Sequence, residues 1–331
     1  MIINQLKVKL KADIRPVINF FRKKKLIKRK YSSHKHDKKT GSHITIFVVD
    51  GELNHGGLSD RFNGIISTYA ICKAQNIPFR IKWHYPFQLE DYIIPNQYDW
   101  ILKSNETYIL NRTSKIVITL NDPKAKTLFH LSKNKQNHVY TNMNLLARIE
   151  QKLERHYEWY QLFQELFKPN KKLEQLLAEH TKRIGESYIG IVFRFQQLLG
   201  DFNEGTYPTL PIEKRQLLIR KCINTVKQIK ERYKEYNILV TSDSISFLNI
   251  VKQEDKVFII PGKVVHITFS QNEDYDVYMK SFVDFFMLSK AQKVFSIITS
   301  EMIIDGHLFI TSFPEYAAKA GNTQFERIYI K

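Results

Sequence analysis

Between residues 44 and 75 three patterns follow one another. An apolar run, Ile44 to Val49, leads into Asn54-His55-Gly56-Gly57-Leu58-Ser59-Asp60-Arg61-Phe62-Asn63-Gly64, and helical spacing then continues to Gln75. A short buried run followed by glycines and an amphipathic segment predicts strand, turn and helix, the repeating unit of an α/β sheet. The paired glycines let the backbone approach a ligand, and a helix starting near Ser59 points N–H groups and its positive dipole end at the turn. An anion, a phosphate above all, is the expected occupant; a plain tight turn accounts for the same residues.

The pattern recurs along the chain. Strands are expected at Phe79 to Trp83, Thr107 to Leu110, Ile116 to Leu120 and His138 to Thr141. From Asn144 to Ile184 the apolar spacing turns helical through Leu145, Ile149, Leu153, His156, Tyr160, Phe163 and Phe167, interrupted at Pro169-Asn170. A second alternation follows: strand Tyr188 to Arg194, helix Glu213 to Tyr233, strand Asn237 to Thr241, short strands Val257 to Ile260 and Val264 to Thr268, helix Tyr278 to Ser289 and strand Lys293 to Ile297. Two doubly wound α/β halves joined by a helical connector, facing a central cleft, are therefore expected. The expected division is an arm over 1–43, an N-terminal α/β domain with the connector over 44–185, and a C-terminal α/β domain over 186–331.

A chain of 331 residues with 43 % hydrophobic content can fill two cores. No apolar run reaches 18 residues, and no secretory signal pattern is evident, so a cytoplasmic or membrane-peripheral location is expected. Cys72 and Cys222 fall in helix-like segments and are expected as buried thiols. The net charge of +18 is unevenly spread: residues 1–43 hold 14 basic and 2 acidic residues, or +12, leaving +6 for the other 288. Phe20 and Phe21 beside Arg22-Lys23-Lys24-Lys25 and Lys28-Arg29-Lys30 suit a helix on an anionic membrane surface. A solubilising tail or a nucleic-acid arm has the same composition.

Arg194 ends an apolar strand, where a guanidinium fork suits a diphosphate; a salt bridge to Asp201, in the loop that also carries Glu204, is the alternative. Ser242-Asp243-Ser244 follows another apolar strand and suits ribose or base hydroxyls, or a helix cap. Thr311-Ser312-Phe313-Pro314 offers hydroxyl and N–H donors at a further helix start.

Taken in order, several segments resemble the fucosyltransferase-type superfamily of GT-B glycosyltransferases, which includes bacterial α-1,2- and α-1,6-fucosyltransferases and protein O-fucosyltransferases. Gly56-Gly57-Leu58-Ser59-Asp60-Arg61 is similar to its glycine loop, Leu166-Phe167-Lys168-Pro169 to its interdomain helix, and Gly190-Ile191-Val192-Phe193-Arg194 to its His-x-Arg strand. Thr241-Ser242-Asp243, Asp284 with Leu288-Ser289-Lys290-Ala291, and Ser312-Phe313-Pro314-Glu315-Tyr316-Ala317-Ala318 continue the resemblance, which runs from residue 44 to the end. It implies that Arg194 holds the donor diphosphate and steadies departing GDP. Ser242, Asp243, Ser312 and Phe313 would then surround the nucleotide, and Gly56, Gly57, Asp60 and Arg61 would border the sugar and acceptor. Val192 stands where the family has histidine, and Phe195 where many members have a second arginine.

No metal or other cofactor is implied, since arginine and helix N-termini can neutralise a diphosphate. Asp274-Tyr275-Asp276 fits a metal-binding Asp-x-Asp pattern but is expected in a polar loop. An inverting transfer needs a base, for which His55, Glu52, Asp60 and Asp201 are candidates, His55 having the intrinsic pKa best suited to neutral pH. The expected function is transfer of fucose from GDP-fucose to a surface polysaccharide or lipid-linked acceptor. The rivals are a transferase using another nucleotide sugar and a basic nucleic-acid-binding protein, although no nucleic-acid module is recognised.

Overall fold

The computed structural model describes residues 21, 22, 24–29, 31, 43–106, 114–202, 208–268, 273–304, 307, 308 and 310–330. The expected strand Thr107 to Leu110, Glu204 and most of the arm lie outside these residues. The chain divides into two compact units, one of residues 1–56, 60–85 and 98–157 and the other of residues 57–59, 86–97 and 158–331.

The first unit is built on β1 (Thr45–Val49), α1 (Leu58–Gln75), β2 (Phe79–Trp83), β3 (Lys115–Ile118), β4 (Asn137–Tyr140) and α2 (Leu146–Leu153). Its four strands are parallel in the order β2-β1-β4-β3. Every residue of β1 is buried, which is why its sequence is continuously apolar apart from Thr45 instead of alternating. Gly64, inside α1, lies close against the chain just after β4: a Cβ there would lie 2.1 Å from the carbonyl oxygen of Thr141. That neighbour is backbone and cannot rotate away. Gly64→Ala is expected to cost about 3 kcal/mol or more, read as a lower urea midpoint at unchanged slope; an unchanged midpoint would contradict this packing.

The second unit holds α3 (Trp159–Leu166), α4 (Lys171–Ile184), β5 (Tyr188–Phe193), α5 (Ile212–Arg232), β6 (Asn237–Ser242), α6 (Ile245–Val251), β7 (Val257–Ile259), α7 (Tyr275–Ser289), β8 (Lys293–Thr299), α8 (Phe313–Ala320) and β9 (Gln324–Ile330). All five strands are parallel in the order β9-β8-β5-β6-β7. The chain therefore starts in the middle, winds to one side through β6 and β7, and returns to wind the other way from β8. The reversal lies between β5 and β8, the place where doubly wound sheets bind ligands beyond the strands' carboxyl ends.

Three expectations need correction. The long helical stretch breaks after Leu153, where Glu154 takes a left-handed φ of 52°, leaving His156 outside any helix. Phe167–Pro169 forms an antiparallel pair with Ile93–Pro95, so Phe167 is not part of the helical stripe. Val264 to Thr268 is not a strand, and the sheet ends at β7. Cys72 and Cys222 are buried thiols, as expected.

Candidate functional site

Phe193 and Ser242 are paired across β5 and β6, so Arg194 and Asp243 leave neighbouring strands side by side. Arg194 Nη1 lies 3.1 Å from Asp243 Oδ2, with side-chain exposures of 18 % and 1 %. The backbone N–H groups of Phe195 and Gln196 donate to the same carboxylate at 2.8 and 2.6 Å. Burial pushes the Asp243 pKa up, and Arg194 with the backbone donors pulls it back. The guanidinium also sits over the Phe202 ring, 4.8 Å from its centroid. Asp243 thus fixes both the arginine and the chain that follows it. It was expected to face a nucleotide; its buried oxygens instead serve the protein.

Asp201 is not the partner of Arg194. Its Oδ2 accepts from Ser244 Oγ at 2.9 Å and from Ser246 N at 2.8 Å, at the start of α6, while Ser244 Oγ accepts from Phe247 N at 3.1 Å. A carboxylate there satisfies first-turn donors and favours the helix dipole. That engagement counts against Asp201 as the open general base. Ser242, 5 % exposed, accepts from Ser244 N at 3.1 Å. Phe195, where the second arginine was awaited, is fully buried against Phe193 and Phe247.

Ser312 and Phe313, both half-buried, open α8, and the Phe313 ring meets Phe285 edge-on at 5.6 Å. Asp284, on α7, is buried with Lys280 Nζ 2.5 Å away, a pair whose i,i+4 spacing could be read from sequence but whose burial could not. Asp274-Tyr275-Asp276 is not a loop: Asp274 is the residue before α7, and Tyr275 and Asp276 are in its first turn. Among the described residues no group of three or more His, Cys, Asp or Glu side chains is placed to hold a metal ion.

In the first unit, Gly56 has a φ of +82°, and Asn54 Oδ1 accepts from its N–H at 2.8 Å. A Cβ at Gly56 would meet Asp60 Oδ2 at 2.3 Å, so the aspartate lies against the turn and competes with any anion expected there. Gly57 follows, half-buried. Arg61, 3 % exposed, donates to the carbonyls of Gly56 at 3.2 Å and Tyr85 at 3.1 Å and stacks 5.0 Å from the Trp83 centroid. It braces the loop from within. His55 is fully buried beside Phe47 and Tyr140 with Nδ1 3.2 Å from the Leu53 carbonyl, and burial, with Arg61 adding to it, pushes its pKa down to about 3. A ring so placed is poorly suited to receive a proton from an acceptor in solvent.

His138, on β4, is likewise pushed down to about 3 by burial and by Lys82. The folded chain holds both rings neutral, whereas the unfolded chain protonates them below about pH 6.5. Their contribution to stability is complete above that pH and is lost as pH falls toward about 3, at about 1.4 kcal/mol per pH unit for each ring. Urea midpoints should fall steadily below about pH 6.5, and less steeply in His138→Gln; equal slopes in the two proteins would contradict the buried neutral ring.

No family model matches the sequence, and no curated protein matches it. Among solved structures the chain is similar to an Arabidopsis thaliana FUT1 mutant in complex with GDP, with a TM-score of 0.54 at 11 % identity over 94 % of this chain and 75 % of that one. It is similar also to NodZ α-1,6-fucosyltransferase soaked with GDP-fucose, with a TM-score of 0.50 at 11 % identity over 84 % and 93 % of the two chains. Fucosyltransferase NodZ from Bradyrhizobium aligns with a TM-score of 0.49 at 11 % identity over 84 % and 92 %. The first two show the fold: the chain has the α/β architecture of these two fucosyltransferases, the fold that the order of its motifs led us to expect.

Proposed function

We propose that the protein is a glycosyltransferase that moves fucose from GDP-fucose to a glycan acceptor, with inversion and without a metal ion. The observation that carries this reading is Arg194, held by Asp243 at the carboxyl edge of the doubly wound sheet where its winding reverses. The reading draws further support from the fold shared with FUT1 in its GDP complex and with NodZ soaked with GDP-fucose.

In the proposed step the acceptor hydroxyl oxygen attacks the anomeric carbon of the donor sugar. The bond from that carbon to the phosphate oxygen breaks, GDP leaves with the electron pair, and the hydroxyl proton passes to a base. Arg194 meets the charge growing on the diphosphate, and because Asp243 already orients it, little reorganisation is needed. Ser242, Ser312 and Phe313 are proposed to line the nucleotide within residues 186–331, with residues 44–185, including Gly56 and Gly57, on the acceptor side. Glu52 and Asp60, on either side of the glycine turn, are proposed as the carboxylates that take the proton. The acceptor we infer is a lipid-linked saccharide of a surface polysaccharide, capsule or O-antigen, on the cytoplasmic face of a membrane to which the basic arm binds. No helix among the described residues is long and apolar enough to cross one.

A different nucleotide sugar is the second reading, favoured by Val192 and Phe195 at positions where the family has basic residues. Release of GDP from GDP-fucose and of UDP from UDP-sugars, measured without added metal in the presence of lipid-linked saccharides, separates the two. GDP release with fucose in the product is the expected result; turnover confined to a UDP-sugar would overturn the donor.

A further inference from the structure

Part of the basic arm is fixed to the first unit. The described residues between 21 and 31 are helical, and Ile27 and Tyr31, four apart and so on one face, are 3 % and 6 % exposed in an apolar cluster with Ile46, Val48 and Tyr140. The Tyr31 hydroxyl lies 2.5 Å from Nδ1 of His138, whose Nε2 lies 2.7 Å from Gln136 Oε1. An amide oxygen can only accept, so Nε2 carries the proton and Nδ1 receives the tyrosine's. Arg22, Lys25 and Arg29, three and four apart, line the opposite, exposed face with Lys28 beside them. Phe21 and Leu26 border that face, 62 % and 53 % exposed.

We propose that this helix is a fixed membrane-contact face rather than a loose tether. Arg22, Lys25, Lys28 and Arg29 meet the phosphates of an anionic bilayer, Phe21 and Leu26 enter the interfacial layer, and Ile27 with Tyr31 holds the helix to the sheet so that the enzyme docks in one orientation. This rests on the membrane location proposed above. Charge complementarity selects an anionic surface, and the large apolar side chains beside the cations select a bilayer, since a nucleic acid offers Leu26 neither an apolar layer nor a stacking partner.

The full chain is tested by co-sedimentation with phosphatidylcholine vesicles, with and without about 30 % phosphatidylglycerol. Wild type should bind the anionic vesicles alone. Arg22→Gln with Lys25→Gln and Arg29→Gln should weaken binding at least about tenfold. Phe21→Ser with Leu26→Ser should weaken it several-fold, and Leu26→Trp should blue-shift in emission when anionic vesicles are added. All of these positions are exposed, so melting temperatures should hold. If the point variants bind anionic vesicles like wild type, the contact face is overturned and the membrane location stands. If wild type binds no vesicles, or binds single-stranded RNA and not vesicles, the membrane location falls and this proposal with it.

Discussion

Arg194→Ala is expected to reduce turnover by about two to three orders of magnitude, the loss typical of removing a group that meets developing charge in a water-poor site. The fold should survive. Asp243 keeps its two backbone donors, from Phe195 and Gln196, and burial already raises its pKa, so it can take up a proton when the guanidinium is gone. Arg194→Lys retains the charge but not the fork, and should recover only a small part of the rate. Turnover of GDP-fucose, followed beside circular dichroism and thermal melting, checks both variants. Near-normal turnover in Arg194→Ala would remove this arginine from the mechanism.

Asp243→Ala should harm both stability and turnover. It leaves the Arg194 cation and two N–H groups without the acceptor they share, and breaking a buried pair from one side costs about 3–5 kcal/mol. Asp243→Asn keeps the volume and one acceptor oxygen. It should regain much of the stability and little of the rate, because an amide cannot fix a guanidinium as a carboxylate does. Since Asp243 is assigned to act through Arg194, the effects of Arg194→Ala and Asp243→Ala on turnover should be far from additive in the double variant. Simple addition would mean that Asp243 meets the substrate on its own account.

The elements that sequence patterning located best carry a continuous apolar run, a clean alternation or a regular helical period. Phe79–Trp83 and the α/β alternation beyond Tyr188 follow directly from apolar period and breakers. The break after Leu153 escaped notice because Glu154 carries no helix-breaking signature; its left-handed backbone is a consequence of the fold around it. β9 was missed for the opposite reason. Its residues are mostly half-buried at a sheet edge, so Gln324–Ile330 lacks the clean apolar run of an inner strand.

At the site, Arg194 was legible because a charge at the end of an apolar strand is costly without a purpose or a partner. Its partner was not. Asp243 looks like any aspartate between a strand and a helix, and only the pairing of β5 with β6 brings it to the arginine, while Asp201 goes to the helix start that Asp243 was the alternative candidate to cap. His55 illustrates the same limit: a histidine beside two glycines reads as solvent-facing, yet the turn folds it under β1 against Phe47 and Tyr140.

The central claim is that the second unit binds a guanine nucleotide diphosphate through Arg194, and a thermal-shift panel of GDP, UDP, CMP and ADP, with and without magnesium or manganese, tests it most directly. A ligand bound by the folded state alone adds about 2.7 kcal/mol at a hundred times its Kd, enough for a clear rise in melting temperature. The account predicts a rise with GDP that needs no metal and disappears in Arg194→Ala. A rise with another nucleotide in place of GDP, or one that persists in Arg194→Ala, would contradict it.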